Sequence, residues 1–249
     1  MGLLTRWLDS TLYPSFGQNW DDALFRNEIL SRIDPRHHML ELGAGAGIVP
    51  QMNFRGLVAR VCGIDPDPRV RTNPFLDEAQ VATGEKLPYA DESFDIVIAD
   101  NVVEHLSEPV AVFSEVARVL KPSGLFVFKT PNKLHYMPTM ARLTPHWFHR
   151  IYNKMRGRAA VDTFPTQYRA NTHAQVVKVA NLAGLVVESV RLIEGRPEYL
   201  RPFALTYLIG WSYERAVNRV RMLEQFRILL VATLRKPSRS TDLAANGTL

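Results

Sequence analysis

The chain has 249 residues, enough to bury a substantial core as one large domain or as one domain with a sizeable insertion. Its net charge of +5 and isoelectric point near 9.4 permit an anionic partner without establishing one. The single cysteine, Cys62, excludes an intrachain disulfide and a cysteine-based zinc site, and a reducing compartment such as the cytoplasm is the expected home.

The opening "MGLLTRWLDS" lacks the long apolar centre of a secretory signal, and Arg6 stands where a myristoylation pattern needs Ser or Thr. The central part then alternates strand-like and helix-like segments. "HMLEL", "VCGI", "AQVA", "FDIVIA" and "LFVFK" are short, apolar and bounded by turn residues, as expected of strands covered on both faces. Between the last two, Ser107 can cap a helix, Pro109 suits its first turn, and Val112, Val116 and Val119 repeat at helical spacing before Pro122 and Gly124 stop it. A second helix is expected from Thr172 to Gly184, followed by the strand "LVVESVRL". "VNRVRMLEQ" has helical character and leads into a last strand, "FRILLVATL". Such alternation predicts a mostly parallel α/β sheet, whose ligands bind beyond the carboxyl ends of the strands.

Two motifs fall at such ends. "LELGAGAG" places Gly43, Gly45 and Gly47 directly after a strand, where backbone without Cβ atoms can turn sharply and admit a ligand. A dinucleotide fingerprint needs its third glycine one position later, where Ile48 stands, so the loop argues against a nicotinamide cofactor while a plain turn stays open. The next strand ends in "CGIDPDP", with Asp65 twenty residues after Gly45. A carboxylate there can accept both hydroxyls of a ribose, or cap a turn. Asp67 reads as a turn residue. The stretch "PDPRVRTNPFLDEAQ" holds three prolines and predicts an irregular connection rather than a helix.

The segment from Gly84 to Pro131, "GEKLPYADESFDIVIADNVVEHLSEPVAVFSEVARVLKPSGLFVFKTP", taken with "LELGAGAG" and "GID", resembles the class I S-adenosylmethionine-dependent methyltransferases, in the group with an "LPF-x-D-x-SFD" segment and an "EH" pair. The resemblance implies a Rossmann-like fold: a mostly parallel seven-stranded sheet, order 3-2-1-4-5-7-6, with helices on both faces and a lid insertion after strand five. It implies S-adenosyl-L-methionine as cofactor, with Gly43, Ala44, Gly45 and Gly47 beneath its methionine and ribose parts, Glu41 at the amino acid end and Asp65 on the ribose. Relatives carry "D-A-E" before "LP"; here Thr83 takes the place of the acid on the adenine amine, and backbone near Gly84 and Glu85 is expected to serve instead. Asp100 and Asn101 match the region bordering the methyl group. His105 is the candidate general base, because it follows strand four on the binding edge and an imidazole titrates near neutral pH; the alternative is that "EH" closes the strand-to-helix turn, and Glu104 is read as structural.

Residues 132–171 form an insertion expected to choose the acceptor within a methyltransferase domain spanning 1–235. It carries Lys133, Arg142, Arg150, Lys154, Arg156, Arg158 and Arg169 against Asp162, seven minus one, or +6 against +5 for the whole chain. His135, His146 and His149 lie among Tyr136, Trp147, Phe148 and Tyr152, as in an aromatic lid; "HWFH" without a carboxylate partner does not suggest a metal site. Before the next helix stand Tyr168, Arg169 and Asn171, which together with His135 and Tyr136 are the candidate acceptor contacts. Basic and aromatic residues suit an anionic small molecule, a glycan or lipid-linked intermediate, or RNA, the last disfavoured because no added RNA-binding domain is visible. "RPEYLRPFALTYLIGWSYERAVNR" reads first as a core helix with a solvated basic face, and second as a peripheral membrane contact. The polar tail 236–249 is expected to be disordered. The competing functions are a non-catalytic scaffold that keeps the cofactor fold, a nicotinamide oxidoreductase, and an RNA methyltransferase.

Overall fold

A computed structural model describes residues 3–17, 19–143 and 165–238. The chain divides into two compact units, one of residues 1–20, 131–165 and 192–230, the other of residues 21–130, 166–191 and 231–249.

The second unit holds nearly all of a seven-stranded sheet: β1 (His38–Leu42), β2 (Arg60–Asp65), β3 (Glu78–Val81), β4 (Phe94–Asp100), β5 (Leu120–Pro131), β6 (Val186–Ile193) and β7 (Leu229–Arg235). Their order is β3-β2-β1-β4-β5-β7-β6, as the resemblance implies. The pairs β1–β2, β1–β4, β2–β3 and β4–β5 are parallel, which brings the ends of five strands out on one rim. β7 runs the other way: Ser123, near the start of β5, donates to Lys236 just past the end of β7. Full burial of Met39, Leu40, Ile96, Val97, Ile98 and Val127 explains why these strands read as continuous apolar runs rather than as alternations. The helices of this unit are α2 (Trp20–Leu30), α3 (Pro109–Val119) and α5 (His173–Leu182), with α4 (Tyr136–Leu143) falling to the other unit. α3 buries Val112, Phe113, Val116 and Val119, at the helical spacing that its valines predict.

Two local expectations are corrected. Ser107 does not cap α3: the cap position is Glu108, no side chain bonds the helix end, and Pro109 removes one of the orphan donors that a cap would serve. Nor do Pro122 and Gly124 stop that helix. It ends at Val119, and both residues lie inside β5, where the pairing with β4 shifts between Phe94 and Ile96, an irregularity that accommodates a proline without a ladder donor. The capping of α5 is as expected, with Thr172 accepting from the Gln175 amide and Gly184 at φ +72° after its end. Prolines 66 to 74 give a short 3-10 turn, Pro68–Thr72, capped by Asp67, and otherwise irregular chain.

The first unit is built on α1 (Leu3–Leu12) and α6 (Ala204–Arg219), which pack around Leu8, Tyr13 and Tyr207. The Tyr13 hydroxyl donates to Glu214 at 3.0 Å and that of Tyr207 to Asp9 at 2.9 Å, so each buried phenol is satisfied. The helical character of "VNRVRMLEQ" is divided: α6 ends at Arg219, and Arg221–Phe226 is a 3-10 segment.

Candidate functional site at the carboxyl rim

The glycine loop follows β1 in an unusual backbone. Gly43, Gly45 and Gly47 all adopt positive φ, +69°, +50° and +70°. A Cβ at Gly43 would come within 2.3 Å of the Val102 side chain, and one at Gly47 within 2.3 Å of the Asn73 amide oxygen, so both glycines answer to close packing as well as to the turn. A Cβ at Gly45 would meet nothing within 4 Å: this backbone faces open space. Two side chains from the β2 end fix the loop. Asp65 accepts from the Gly45 amide at 3.0 Å, and the Asn73 amide donates to the Ala44 carbonyl at 2.8 Å.

Around the loop the strand ends present carboxylates. Glu41, on β1, is buried and has no hydrogen-bond partner among the described residues; burial, then the charges of Asp100 and Asp65, hold its carboxyl well above the usual range. Asp65 takes one amide on each oxygen, the second being Asp67 at 2.8 Å, which leaves a lone pair on each for a further donor. Asp100, at the end of β4, is pushed up to about 6, chiefly by burial, with Asp22 and Asp21 adding and Lys129 opposing. Asn101 follows in the left-handed region at φ +52°, donating its side-chain amide to Asp100 at 2.9 Å and its backbone amide to the Lys129 carbonyl at 3.0 Å.

Lys129 is a finding that the sequence reading missed. Its ammonium is fully buried in the apolar run of β5, 3.3 Å from Asp100 and from Asp21 and in direct contact with Asp22, the two aspartates opening α2. Burial pulls this ammonium's pKa down, but the three carboxylates together raise it above its ordinary value. The signal was the lysine itself, a charge standing in "LFVFK"; nothing marked its partners Asp21 and Asp22, sixty-odd residues before the glycine-to-proline motif block. Asn73 was missed for the same reason: only the fold carries it to the loop.

His105 lies in a 3-10 turn, Val103–His105, beyond β4 and is partly exposed, with its Nε2 4.0 Å from Glu104. Glu104 is buried and belongs to a polar chain: Asn171 donates to the Thr130 hydroxyl at 2.6 Å, which donates to the Glu104 carboxylate at 2.8 Å. Burial raises the Glu104 carboxyl, opposed by His105. The Tyr168 backbone amide donates to the Glu104 carbonyl at 3.1 Å, and Arg169 donates to the Ser107 carbonyl at 2.7 Å. Tyr168, Arg169 and Asn171 thus gather beside the "EH" turn, Asn171 fully buried and Arg169 exposed. Gly84 packs on Val112, and Thr83 and Glu85 are exposed. In the other unit, His135 is buried with Nε2 3.3 Å from Glu194 and its ring 4.0 Å from that of Tyr136, while the Met137 amide donates to Nδ1. His146, Trp147, Phe148, His149 and Tyr152 lie outside the described residues, as does most of the 236–249 tail.

A sheet of this order with a glycine bend after β1 and an acid ending β2 defines a class I methyltransferase fold. The chain matches the methyltransferase domain family over residues 40–128. It is 35% identical over 95 residues to an uncharacterized methyltransferase of Mycobacterium leprae, covering 36% of this chain and 35% of that one. A ubiquinone biosynthesis O-methyltransferase of Cereibacter sphaeroides is 31% identical over 120 residues, covering 45% of this chain and 48% of that one. The chain therefore spans between a third and a half of the length of these curated relatives. Among solved structures, the fold is shared with a methyltransferase of Haloferax volcanii in complex with the Trm112 activator, at a TM-score of 0.58 and 20% identity over 95% of this chain and 94% of that one.

Proposed function

We propose that this chain is an S-adenosyl-L-methionine-dependent methyltransferase that passes a methyl group to a small-molecule, glycan or lipid-linked acceptor by direct in-line displacement. The observation that supports it is the open backbone at Gly45 flanked by Glu41, Asp65 and Asp100: a cationic nucleoside suits a crevice whose carboxylates outnumber its cations. Bound there, the sulfonium supplies an already activated methyl group.

The chain's own tasks are then few. Asp65 accepts from the ribose hydroxyls while its two amide contacts keep its carboxylate aimed. Glu41 and Asp100 hold the amino acid end, and the glycines let the backbone pass close beneath. Gly84 and Glu85 border the adenine through their backbone. His105 would take the acceptor's proton, with Glu104 holding the turn that carries it. Positioning contributes the larger part of the acceleration, and base help adds about 10²- to 10⁴-fold. Residues 132–171, with His135 and Tyr136 at their start and Tyr168, Arg169 and Asn171 at their end, select the acceptor. Thr83, exposed where relatives carry the adenine acid, favours one rival, a scaffold that retains the fold without catalysis.

Calorimetric titration with S-adenosylhomocysteine and, separately, NADH tests the cofactor: affinity for the first and none for the second is expected, and the reverse makes the protein an oxidoreductase. A labelled-methyl assay across acceptor pools then separates enzyme from scaffold.

A further inference from the structure

α6 is apolar on the wrong side. It buries Tyr207, Gly210, Glu214 and Val217, the stripe facing the core of its unit. The face half a turn away carries Leu205, Leu208 and Ile209, at i, i+3 and i+4, and these are exposed, Leu205 to 73% and Ile209 to 58%. Phe203, immediately before the helix, is exposed as well. A surface helix that met only water would turn polar residues outward here, and the expected solvated basic face is absent from these first two turns. α1, which packs against α6, likewise exposes Leu4 and Trp7.

The charges nearby differ in kind from their neighbours. Arg196, Arg201, Arg215 and Arg227 each pair with a carboxylate. Arg6, between Leu4 and Trp7, and Arg219 and Arg221, at the end of α6, are exposed and have no ion-pair partner among the described residues. Outward apolar side chains beside unpaired arginines complement an apolar layer rimmed with negative charge. No helix among the described residues is long and apolar enough to cross a membrane, so the geometry is that of a helix lying in the interface.

We propose that the outward face of α6, with the exposed end of α1, docks on an anionic lipid surface. The docking is independent of methyl transfer and is measured without cofactor or acceptor.

The test is sedimentation of the full chain with vesicles of phosphatidylcholine alone and of phosphatidylcholine containing about one third phosphatidylglycerol. Binding is expected only to the second, weakened by salt. Leu205→Gln combined with Ile209→Gln should reduce the partition coefficient on the order of tenfold or more, and Arg219→Gln with Arg221→Gln by about tenfold. Because all four side chains point outward, melting curves should match the parent's and report intact folding. Failure to bind the anionic vesicles, or binding untouched by both double variants, overturns the proposal. So does a concentration-dependent dimer that dissociates in the leucine and isoleucine variant, which would give the face to a second copy.

Discussion

The two rims of the sheet are built from the same strands and differ in how their charges are treated. At the amino rim, Asp95 takes both Lys121 and the His38 amide, Glu188 takes Arg235 and Arg32, and Glu28 takes Arg32 and Arg191. Each charge is answered by its opposite at the surface. A cavity of about 480 Å³ lies there, lined by Arg32, His37, Asp95, Lys121 and Arg235 among others. At the carboxyl rim, one buried cation, Lys129, faces Asp21, Asp22 and Asp100, and Glu41 is buried with no partner among the described residues. A hollow thus lies at the rim where electrostatics is balanced, and the imbalance is where the strands' ends converge. An unmet charge in a buried place is a better sign of a ligand than the size of a hole.

Substitutions at each rim sharpen that contrast. The largest effect is expected for His105→Ala, whose turnover should fall by about 10²- to 10⁴-fold while affinity for S-adenosylhomocysteine persists; an unaffected single-turnover rate would make the imidazole structural. Lys129→Met removes the cation buried among those aspartates and should cost about 3–5 kcal/mol in chemical denaturation, since it leaves buried carboxylates uncompensated. Lys121→Met, a partly exposed pair at the opposite rim, should cost about 0–1 kcal/mol by the same measurement, and equal losses would erase the distinction between the rims. Asp65→Ala should weaken S-adenosylhomocysteine binding by about 10²-fold with little change in melting if its carboxylate accepts from the ribose hydroxyls as proposed; unchanged calorimetric affinity removes the ribose assignment.

The pH dependence is the subtlest. The Asp100 carboxyl is raised in the folded protein from 3.8 to about 6, so the native state holds more protons than the unfolded chain across that window. Its contribution to stability is full below the unfolded value and is lost as pH rises through about 6, a slope opposite to that of Asp95, whose carboxyl is lowered. Asp100→Asn should flatten the fall in stability between these pH values. Ionisation of Asp100 should also tighten a cationic sulfonium relative to its neutral thioether product as pH rises through about 6, and a ratio of the two affinities that does not vary with pH would detach Asp100 from the cofactor's charge.

Much of the unit that carries the sheet was legible in the sequence because its signals are local. Apolar runs ending in Gly, Asp or Asn announce strand ends, and the ordered set from "LELGAGAG" to "LFVFKTP" places Gly43, Gly45, Gly47, Asp65 and Asp100 on one rim before any fold is seen. What was not legible depends on partners distant in sequence. Asp21 and Asp22 look like ordinary first-turn acids of α2, and only the strand order carries them to Lys129, 108 and 107 residues on. Asn73 sits in a proline-rich stretch with nothing to mark it, yet it grips the Ala44 carbonyl. The outward apolar residues of α6 were not legible for a different reason: its composition is balanced, and which side faces water is decided by the packing of Tyr207 against Leu8 and Tyr13.

The bond from the Gly45 amide to Asp65 has one more implication. It ties the tip of the second strand to the bend of the first through the chain's own atoms, so the proposed nucleoside site should be shaped by folding itself. Hydrogen exchange at the Gly45 amide should therefore already be slow in the apo form, and association should proceed without a loop-ordering phase, as a key meets a lock whose tumblers are set.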